Sequence, residues 1–122
     1  MNIKIKATNF EMGNDVHEYI TRKMTSLSKF LRSADSALCE IEVGKTTNHH
    51  KSGDIFKAEV NITDSGRQFY TVAESFDIFA AIDEVRDEIE REVVSKKKRY
   101  LTLFRRGAKR MKDMVRNMYN KS

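Results

Sequence analysis

The chain has 122 residues, which fits one domain, and its 39% hydrophobic and 34% charged residues are typical of a globular body with a solvated surface. A single cysteine excludes an internal disulfide, no apolar run is long enough to span a membrane, and the N-terminal segment lacks the apolar core of an export signal, so we expect a cytoplasmic protein. The net charge of +5 is uneven: residues 96–122 hold eleven Lys or Arg and one Asp, a net of +10, whereas residues 1–95 have a net of −5. This concentrated basic end predicts a polyanionic partner, because neutralising phosphates releases their condensed counterions.

The first two predicted elements are a strand and a helix. Residues 2–8 alternate isoleucine or alanine with polar residues, which is the period of a half-buried strand. Residues 13–33 repeat apolar residues at helical spacing, and Asn14 or Asp15 is the expected N-cap. The chain is therefore predicted to begin with a β-α unit.

Three more strands are predicted over residues 37–45, 55–63 and 67–75: the first two alternate apolar and polar residues, and the third is the return strand of a hairpin. The last two are separated by Asp-Ser-Gly, which indicates a tight hairpin turn. Both sides of the last strand are fairly apolar, so its register stays open. At least one of the adjacent Phe69 and Tyr70 must face the core, which weakens the case for stacking of both rings on RNA bases.

A long helix follows, with Asp77 as its N-cap and an end near Arg99. Its predicted apolar stripe consists of Ile78, Phe79, Ala81, Ile82, Val85, Ile89 and Val93. The order of elements is β-α-β-β-β-α, followed by a third, basic segment. Runs of strands with segregated helices predict the α+β class.

The reactive residue types do not form a recognisable catalytic or metal site. No glycine-rich loop has the spacing of a phosphate cradle. Cys39 lies on the apolar side of a predicted strand, which is typical of a buried cysteine rather than a nucleophile. His49 and His50 are neighbours in a polar loop, and His17 is expected to be exposed on a helix, so they do not supply a set of metal ligands. We predict no enzyme, no cofactor and no metal.

The basic end also has a helical period, which predicts an amphipathic basic helix over residues 103–119. This helix has three interpretations: it binds a phosphate backbone, lies on an anionic membrane, or docks in the groove of a partner protein. A membrane helix favours bulky apolar residues, whereas the apolar positions here are mostly Met and Ala with one Phe. We therefore favour phosphate contact. The apolar positions are Phe104, Ala108, Met111, Val115 and Met118.

Taken in order, these elements resemble the ribosome hibernation promoting factor family, which includes the ribosome-associated inhibitors. The segment DIFAAIDEVRDEIEREVVSKKKR at residues 77–99 is similar to the family's Asp-Met-Tyr-(Ala/Thr)-Ala-Ile-(Asp/Asn) opening of its second helix. The start NIKIKATNFEM, the first helix and the FKAEVNIT hairpin extend the resemblance to about a hundred residues. The joint order, rather than any single motif, carries the resemblance.

The resemblance implies a four-stranded sheet with two parallel helices packed on one face, similar to double-stranded-RNA-binding domains, plus a basic C-terminal tail or helix. We divide the chain into a ribosome-binding domain, residues 1–99, and a basic extension, residues 100–122. The family's long form adds a C-terminal dimerisation domain. This chain resembles the short form, and we expect it to be a monomer when free.

The implied function is ribosome hibernation in bacteria under stress or in stationary phase. Such a factor binds the rRNA of the small ribosomal subunit in the channel for messenger and transfer RNA, occludes that channel, inhibits translation and stabilises idle ribosomes. The implied partners are the small subunit and its rRNA, with no membrane and no small-molecule substrate. Two alternatives stay open: a non-specific RNA- or DNA-binding protein, or a protein-interaction module that uses the C-terminal amphipathic helix.

The expected rRNA-binding residues are all basic and fall into two groups. The resemblance implies the helix positions and the basic exit of the second helix, and the charge of the tail adds the rest. In the family, Lys is expected where Ser26 and Glu88 stand, so we expect a weakened helical face and a compensating tail. The predicted residues are Arg22, Lys23, Lys29, Arg91, Lys96, Lys97, Lys98, Arg99, Arg105, Arg106, Lys109 and Arg110.

Overall fold

A computed structural model describes residues 1–46 and 53–119, and beyond Lys96 it describes side chains only at Arg106 and Met111. The elements follow the predicted β-α-β-β-β-α order and confirm the α+β class. They are β1 (Asn2–Thr8), α1 (Asn14–Thr25), a short 3-10 helix (Ser28–Phe30), β2 (Leu38–Lys45), β3 (Phe56–Asp64), β4 (Arg67–Ser75) and α2 (Ile78–Tyr119).

The four strands form one mixed sheet in the order β1-β2-β3-β4. The β1–β2 pair is parallel, because α1 crosses over between the two strands, and the other two pairs are antiparallel. Alternate residues point to opposite faces, so one face is apolar and buried while the other is polar. On the polar face Lys4 lies opposite Glu40, and Lys6 lies opposite Glu42.

Both helices cover the apolar face of the sheet. The predicted stripe of α2 is confirmed: all its members are buried except Phe79, which is half-buried and packs against the core. From α1, the side chains of Val16, Ile20 and Met24 enter the same cluster. A core of this kind is stabilised mainly by the removal of apolar surface from water.

The two helices run parallel, as the resemblance implied. Tyr19 of α1 meets Phe79 near the start of α2, with ring centroids 5.0 Å apart. Later in both helices, Lys23 pairs with Asp83 and Ser26 contacts Arg86. The contacts advance in the same direction along both helices.

The predicted hairpin between β3 and β4 is confirmed. Ser65 and Gly66 both have positive φ, 51° and 79°, as a two-residue type I′ turn requires. The structure also decides the register of β4: Phe69 is buried, and Tyr70 is 57% exposed on the polar face.

The prediction for the first helix is wrong at both ends. Its N-cap is Gly13, without a side-chain hydrogen bond, and α1 ends at Thr25 rather than continuing to residue 33. The hydroxyl of Ser26 donates to the Lys23 carbonyl, and that of Ser28 donates to the Thr25 carbonyl. Serine hydroxyls that bond to nearby backbone carbonyls compete with the regular helix, and the chain continues as a 3-10 turn.

The second helix begins as predicted but does not end near Arg99. The Asp77 carboxylate accepts the Phe79 N–H at 3.1 Å, which confirms Asp77 as the cap. The helix then continues through 42 residues to Tyr119, about 63 Å at about 1.5 Å per residue. Residues 97–119 contain no proline and many strong helix formers, so Gly107 alone does not end the helix. The predicted tail helix is therefore part of α2.

We predict that Gly44→Ala destabilises the fold by about 3 kcal/mol, because a Cβ at this position would lie 2.1 Å from the Thr8 carbonyl oxygen of β1. The matched control is Gly66→Ala, where the Cβ meets nothing within 4 Å and the cost is the positive φ alone, about 1 kcal/mol. Urea unfolding measures both. Equal losses of unfolding free energy in the two variants would contradict the close approach of β1 and β2.

Candidate nucleic-acid interface

The predicted basic residues of α1 surround Tyr19. The Arg22 guanidinium and the Lys23 ammonium each lie 5.3 Å from the centre of the Tyr19 ring. Arg22 is exposed, whereas Lys23 forms a 3.3 Å ion pair with Asp83 of α2. Tyr19 also donates to Asp83, and this hydrogen bond, with partial burial, raises the tyrosine pKa. Lys23 is therefore bound within the helix layer, and Arg22 is the more available cation.

The other predicted cations of the domain differ in their availability. Lys29 is exposed in the 3-10 helix, with its ammonium 5.2 Å from the Phe30 ring, and Arg91 is exposed on α2. Lys96 instead donates to the Gln68 carbonyl at 3.1 Å, pairs with Glu92 at 3.3 Å and lies 5.0 Å from the Phe69 ring. It joins α2 to the start of β4, so its first role is structural.

The remaining predicted residues lie on the continuation of α2. Arg106 is exposed. The side chains of Lys97, Lys98, Arg99, Arg105, Lys109 and Arg110 lie outside the described side chains, and their backbone is helical. The structure thus places these basic residues on the same helix whose first half fills the core.

Arg86 is a basic residue that the sequence prediction did not include in the site. Its Nε donates to the Ser26 hydroxyl at 3.1 Å, and its guanidinium pairs with Asp87 at 3.2 Å and Glu90 at 3.3 Å. The side chain is only 15% exposed. An arginine therefore adjoins Ser26, where the family was expected to have Lys, but its charge is shared with two acids. The i, i+4 spacing to Glu90 is visible in the sequence, whereas the contact with α1 is not.

Asp64 holds the segment that follows Lys29. Its buried carboxylate accepts the backbone N–H of Arg32 at 2.7 Å and of Ser33 at 2.9 Å, and it pairs with Arg67 at 3.3 Å. Burial alone would raise the Asp64 pKa, but the two N–H donors and the Arg67 charge outweigh it and lower the pKa. Sequence analysis identified Asp64 only as a turn residue, because its partners are about 30 residues away.

Cys39 has the environment of a structural cysteine, as expected. It is buried in β2, and burial raises its pKa to about 12, so the reactive thiolate is disfavoured. Among residues 1–46 and 53–119, no group of three or more His, Cys, Asp or Glu side chains is placed to hold a metal ion. His49 and His50 lie outside the described residues, and His17 is exposed as predicted.

In the part of the chain that the structure describes, no helix is both long enough and apolar enough to cross a bilayer.

Residues 3–100 match the protein family described as sigma 54 modulation protein / S30EA ribosomal protein. The chain belongs to this family. The match covers the sheet, α1 and the first half of α2, and it confirms the resemblance drawn from the sequence. S30EA proteins are ribosome-associated rather than enzymes, so the ribosome is the partner class that family membership supports. No curated protein sequence matches the chain.

Several solved structures share the fold of this S30EA protein, among them the following two. The N-terminal domain of Protein Y from Thermus thermophilus has a TM-score of 0.64 and 22% identity, over 76% of this chain and 96% of that chain. A ribosomal subunit interface protein from Coxiella burnetii has a TM-score of 0.64 and 17% identity, over 80% of this chain and 99% of that chain. At such identities the likeness establishes the fold.

We predict that Asp64→Asn destabilises the protein by about 2 kcal/mol near pH 7, because two backbone donors and Arg67 lose their anionic partner. The folded pKa of Asp64 lies below the unfolded value of about 3.9, so its contribution is present above that value and is lost as the pH falls through the folded pKa. Urea unfolding of wild type and variant from pH 7 to pH 3 tests this prediction.

The difference in unfolding free energy between wild type and Asp64→Asn should therefore be largest at neutral pH and shrink in acid. Asp35→Asn is the matched control, since it removes an exposed carboxylate from the loop that Asp64 holds. A difference for Asp64→Asn that does not change with pH would contradict the anionic anchor.

Proposed function

We propose that this protein is a hibernation factor that binds the small ribosomal subunit, occludes the channel for messenger and transfer RNA, and keeps idle ribosomes in a non-translating state. Membership of the S30EA family supports the ribosome as partner. The observation that carries the finer proposal is the continuity of α2: one helix passes from the folded body, with its net charge of −5, into the end with a net charge of +10. In this proposal residues 1–99 form the ribosome-binding domain and residues 100–122 anchor it to rRNA.

Charge pairing within the body supports the helix layer as the RNA-facing side. Four of the acids on α2 are engaged in ion pairs: Asp83 with Lys23, Asp87 and Glu90 with Arg86, and Glu92 with Lys96. Arg22, Lys29 and Arg91 are exposed on the two helices and the 3-10 turn between α1 and β2. The opposite face of the sheet alternates lysine with glutamate across its strands, which gives little net attraction for phosphate.

The mechanism that follows is steric occlusion. Contacts to phosphate and sugar fix the position of a protein but carry little sequence information, so selectivity comes from the shape of the folded rRNA. A body wedged in the channel excludes messenger and transfer RNA without any chemical step. Expression in stress or stationary phase belongs to the same proposal.

We predict that Arg105→Gln with Arg106→Gln weakens ribosome binding and reduces its salt dependence. If about six phosphates are neutralised, log affinity falls with log salt at a slope of about −4 to −5, and each lost contact makes the slope shallower by about 0.7–0.9. The double variant should thus be shallower by about 1.4–1.8. Cosedimentation with ribosomes across a salt series measures the slope.

The matched control is Lys4→Gln with Lys6→Gln, which removes the same charge from the polar face of the sheet, on the other side from the helices. We expect its slope to equal that of the wild type. Equal reductions for both double variants would mean that only the net charge matters, which is the behaviour of a non-specific RNA- or DNA-binding protein.

A second candidate function rests on Met111, which is 69% exposed on the basic half of α2. An exposed methionine on an amphipathic helix is suited to the apolar groove of a partner protein. In that case Met111→Ser abolishes ribosome binding while the Arg105 and Arg106 substitutions have a mild effect. The rRNA proposal expects the reverse order.

A further inference from the structure

Within residues 1–46 and 53–119, no strand pairs with the outer edge of β4, and the proposed function does not use this surface. The sheet ends at β1 on one side and at β4 on the other. An unpaired edge offers a row of N–H and C=O groups to another strand, and folded proteins commonly block such edges with charged side chains. The two edges of this sheet differ in that protection.

The β1 edge is protected by charge. Lys4 and Lys6 are both exposed on this strand, with Ile5 between them. If a second β1 paired with it in antiparallel fashion about Ile5, Lys4 of each copy would lie opposite Lys6 of the other. Directly opposed like charges destabilise strand pairing.

The β4 edge has no such lysine in the centre of the strand. Tyr70 and Val72 point to the polar face from β4, with exposures of 57% and 39%, and Phe76 follows the strand with an exposure of 66%. These are three of the four large hydrophobic residues that are exposed in the described part of the protein, and the fourth is Met111 on the tail. The apolar exposure of the body is thus gathered along one edge.

The hairpin decides which backbone groups of β4 point outward. In a two-residue turn the flanking pair, here Asp64 and Arg67, exchanges hydrogen bonds, and hydrogen-bonded pairs then alternate along the ladder. Odd-numbered residues of β4 therefore bond to β3, and the even-numbered residues direct N–H and C=O to the free edge. The Gln68 carbonyl agrees with this pattern, because it accepts from the Lys96 side chain rather than from β3.

Lys96 blocks one end of this edge, so the open part runs from Tyr70 to Glu74. It offers three N–H and three C=O groups, from Tyr70, Val72 and Glu74. An antiparallel partner that centres on Val72 uses all three residues and leaves the bond between Lys96 and Gln68 intact. The length of the open edge therefore selects one register.

We propose that β4 pairs with β4 of a second copy of this chain, in antiparallel orientation, about a two-fold axis at Val72. Two copies of Val72 then meet at the axis, and Tyr70 of each copy lies opposite Glu74 of the other. Six backbone hydrogen bonds form, and no like charges are directly opposed between the two paired strands. The two sheets become one continuous eight-stranded sheet.

The residues along the β4 edge are self-complementary, which favours a second copy of this chain over another extended chain as the partner. A two-fold interface requires each residue to match its own symmetry mate or a residue at the mirrored position. Val72 meets its own mate as an apolar pair, and Thr71 lies opposite Ala73 on the inner face. The interface is small, so a transient dimer is expected, with a dissociation constant of about 0.1 mM. The monomer expected from the sequence is then the species at low concentration.

The test is sedimentation equilibrium of the full chain, from about 10 µM to about 1 mM, together with amide NMR shifts on dilution. The wild type should approach twice the monomer mass at the upper end, with the largest shifts at Tyr70, Val72 and Glu74. Val72→Pro removes an N–H that points outward and is therefore compatible with the folded edge. It should weaken the dimer at least about tenfold.

Two further variants keep the proposal testable whether or not the proline variant folds. Val72→Lys places two like charges on the two-fold axis and should also weaken the dimer at least about tenfold. Val72→Thr keeps a β-branched side chain and should leave a dimer. A wild type that stays monomeric at about 1 mM, or a dimer that Val72→Lys does not weaken, would overturn the proposal. A monomeric wild type whose ribosome binding is lost in a folded Val72→Pro variant would assign the edge to a ribosomal protein strand and would also overturn it.

Discussion

The packing of α2 against the apolar face of the sheet is the contact on which the rest of this structure depends. Residues such as Ile82, Val85 and Ile89 are completely buried there, and α1 joins the same core beside them. The helix continues beyond the sheet to Tyr119. The packing that stabilises the body therefore also fixes the position from which the basic segment extends. Core packing and charge presentation are therefore two functions of one helix.

The charges of the body and of the basic end are used differently. In the body, residues 1–95, charged groups hold elements together: Asp64 ties a loop to the hairpin, and Arg86 joins the two helices. Lys96, the first residue of the basic end, joins α2 to β4. The body has a net charge of −5. Residues 96–122 hold one acid, so few of their positive charges can be neutralised within that segment.

The sequence predicts most of the fold because the signals are local. Strand alternation gives β1 with the observed limits, the Asp-Ser-Gly turn gives the start of β4, and the Asp77 cap identifies the start of α2. The sequence does not predict features that depend on contacts between distant residues, or on side chains that compete for the hydrogen bonds of the backbone. Serine hydroxyls shorten α1, and packing of Phe69 under α2 chooses the register of β4. For the interface, charge alone selected Lys96 as an RNA ligand. Its pair with Glu92 has an i, i+4 spacing that the sequence shows, whereas its contacts with the Gln68 carbonyl and the Phe69 ring depend on the packing of α2 against β4.

Cosedimentation with separated ribosomal subunits, in the presence of excess free tRNA, tests the central claim most directly. The account predicts that the protein is retained on the small subunit at about one copy each, because shape rather than bulk phosphate selects the site. Loss of the protein to the tRNA competitor, or unsaturable coating of both subunits, would contradict it. The basic half of α2 would then be a general polyanion-binding segment attached to an S30EA fold.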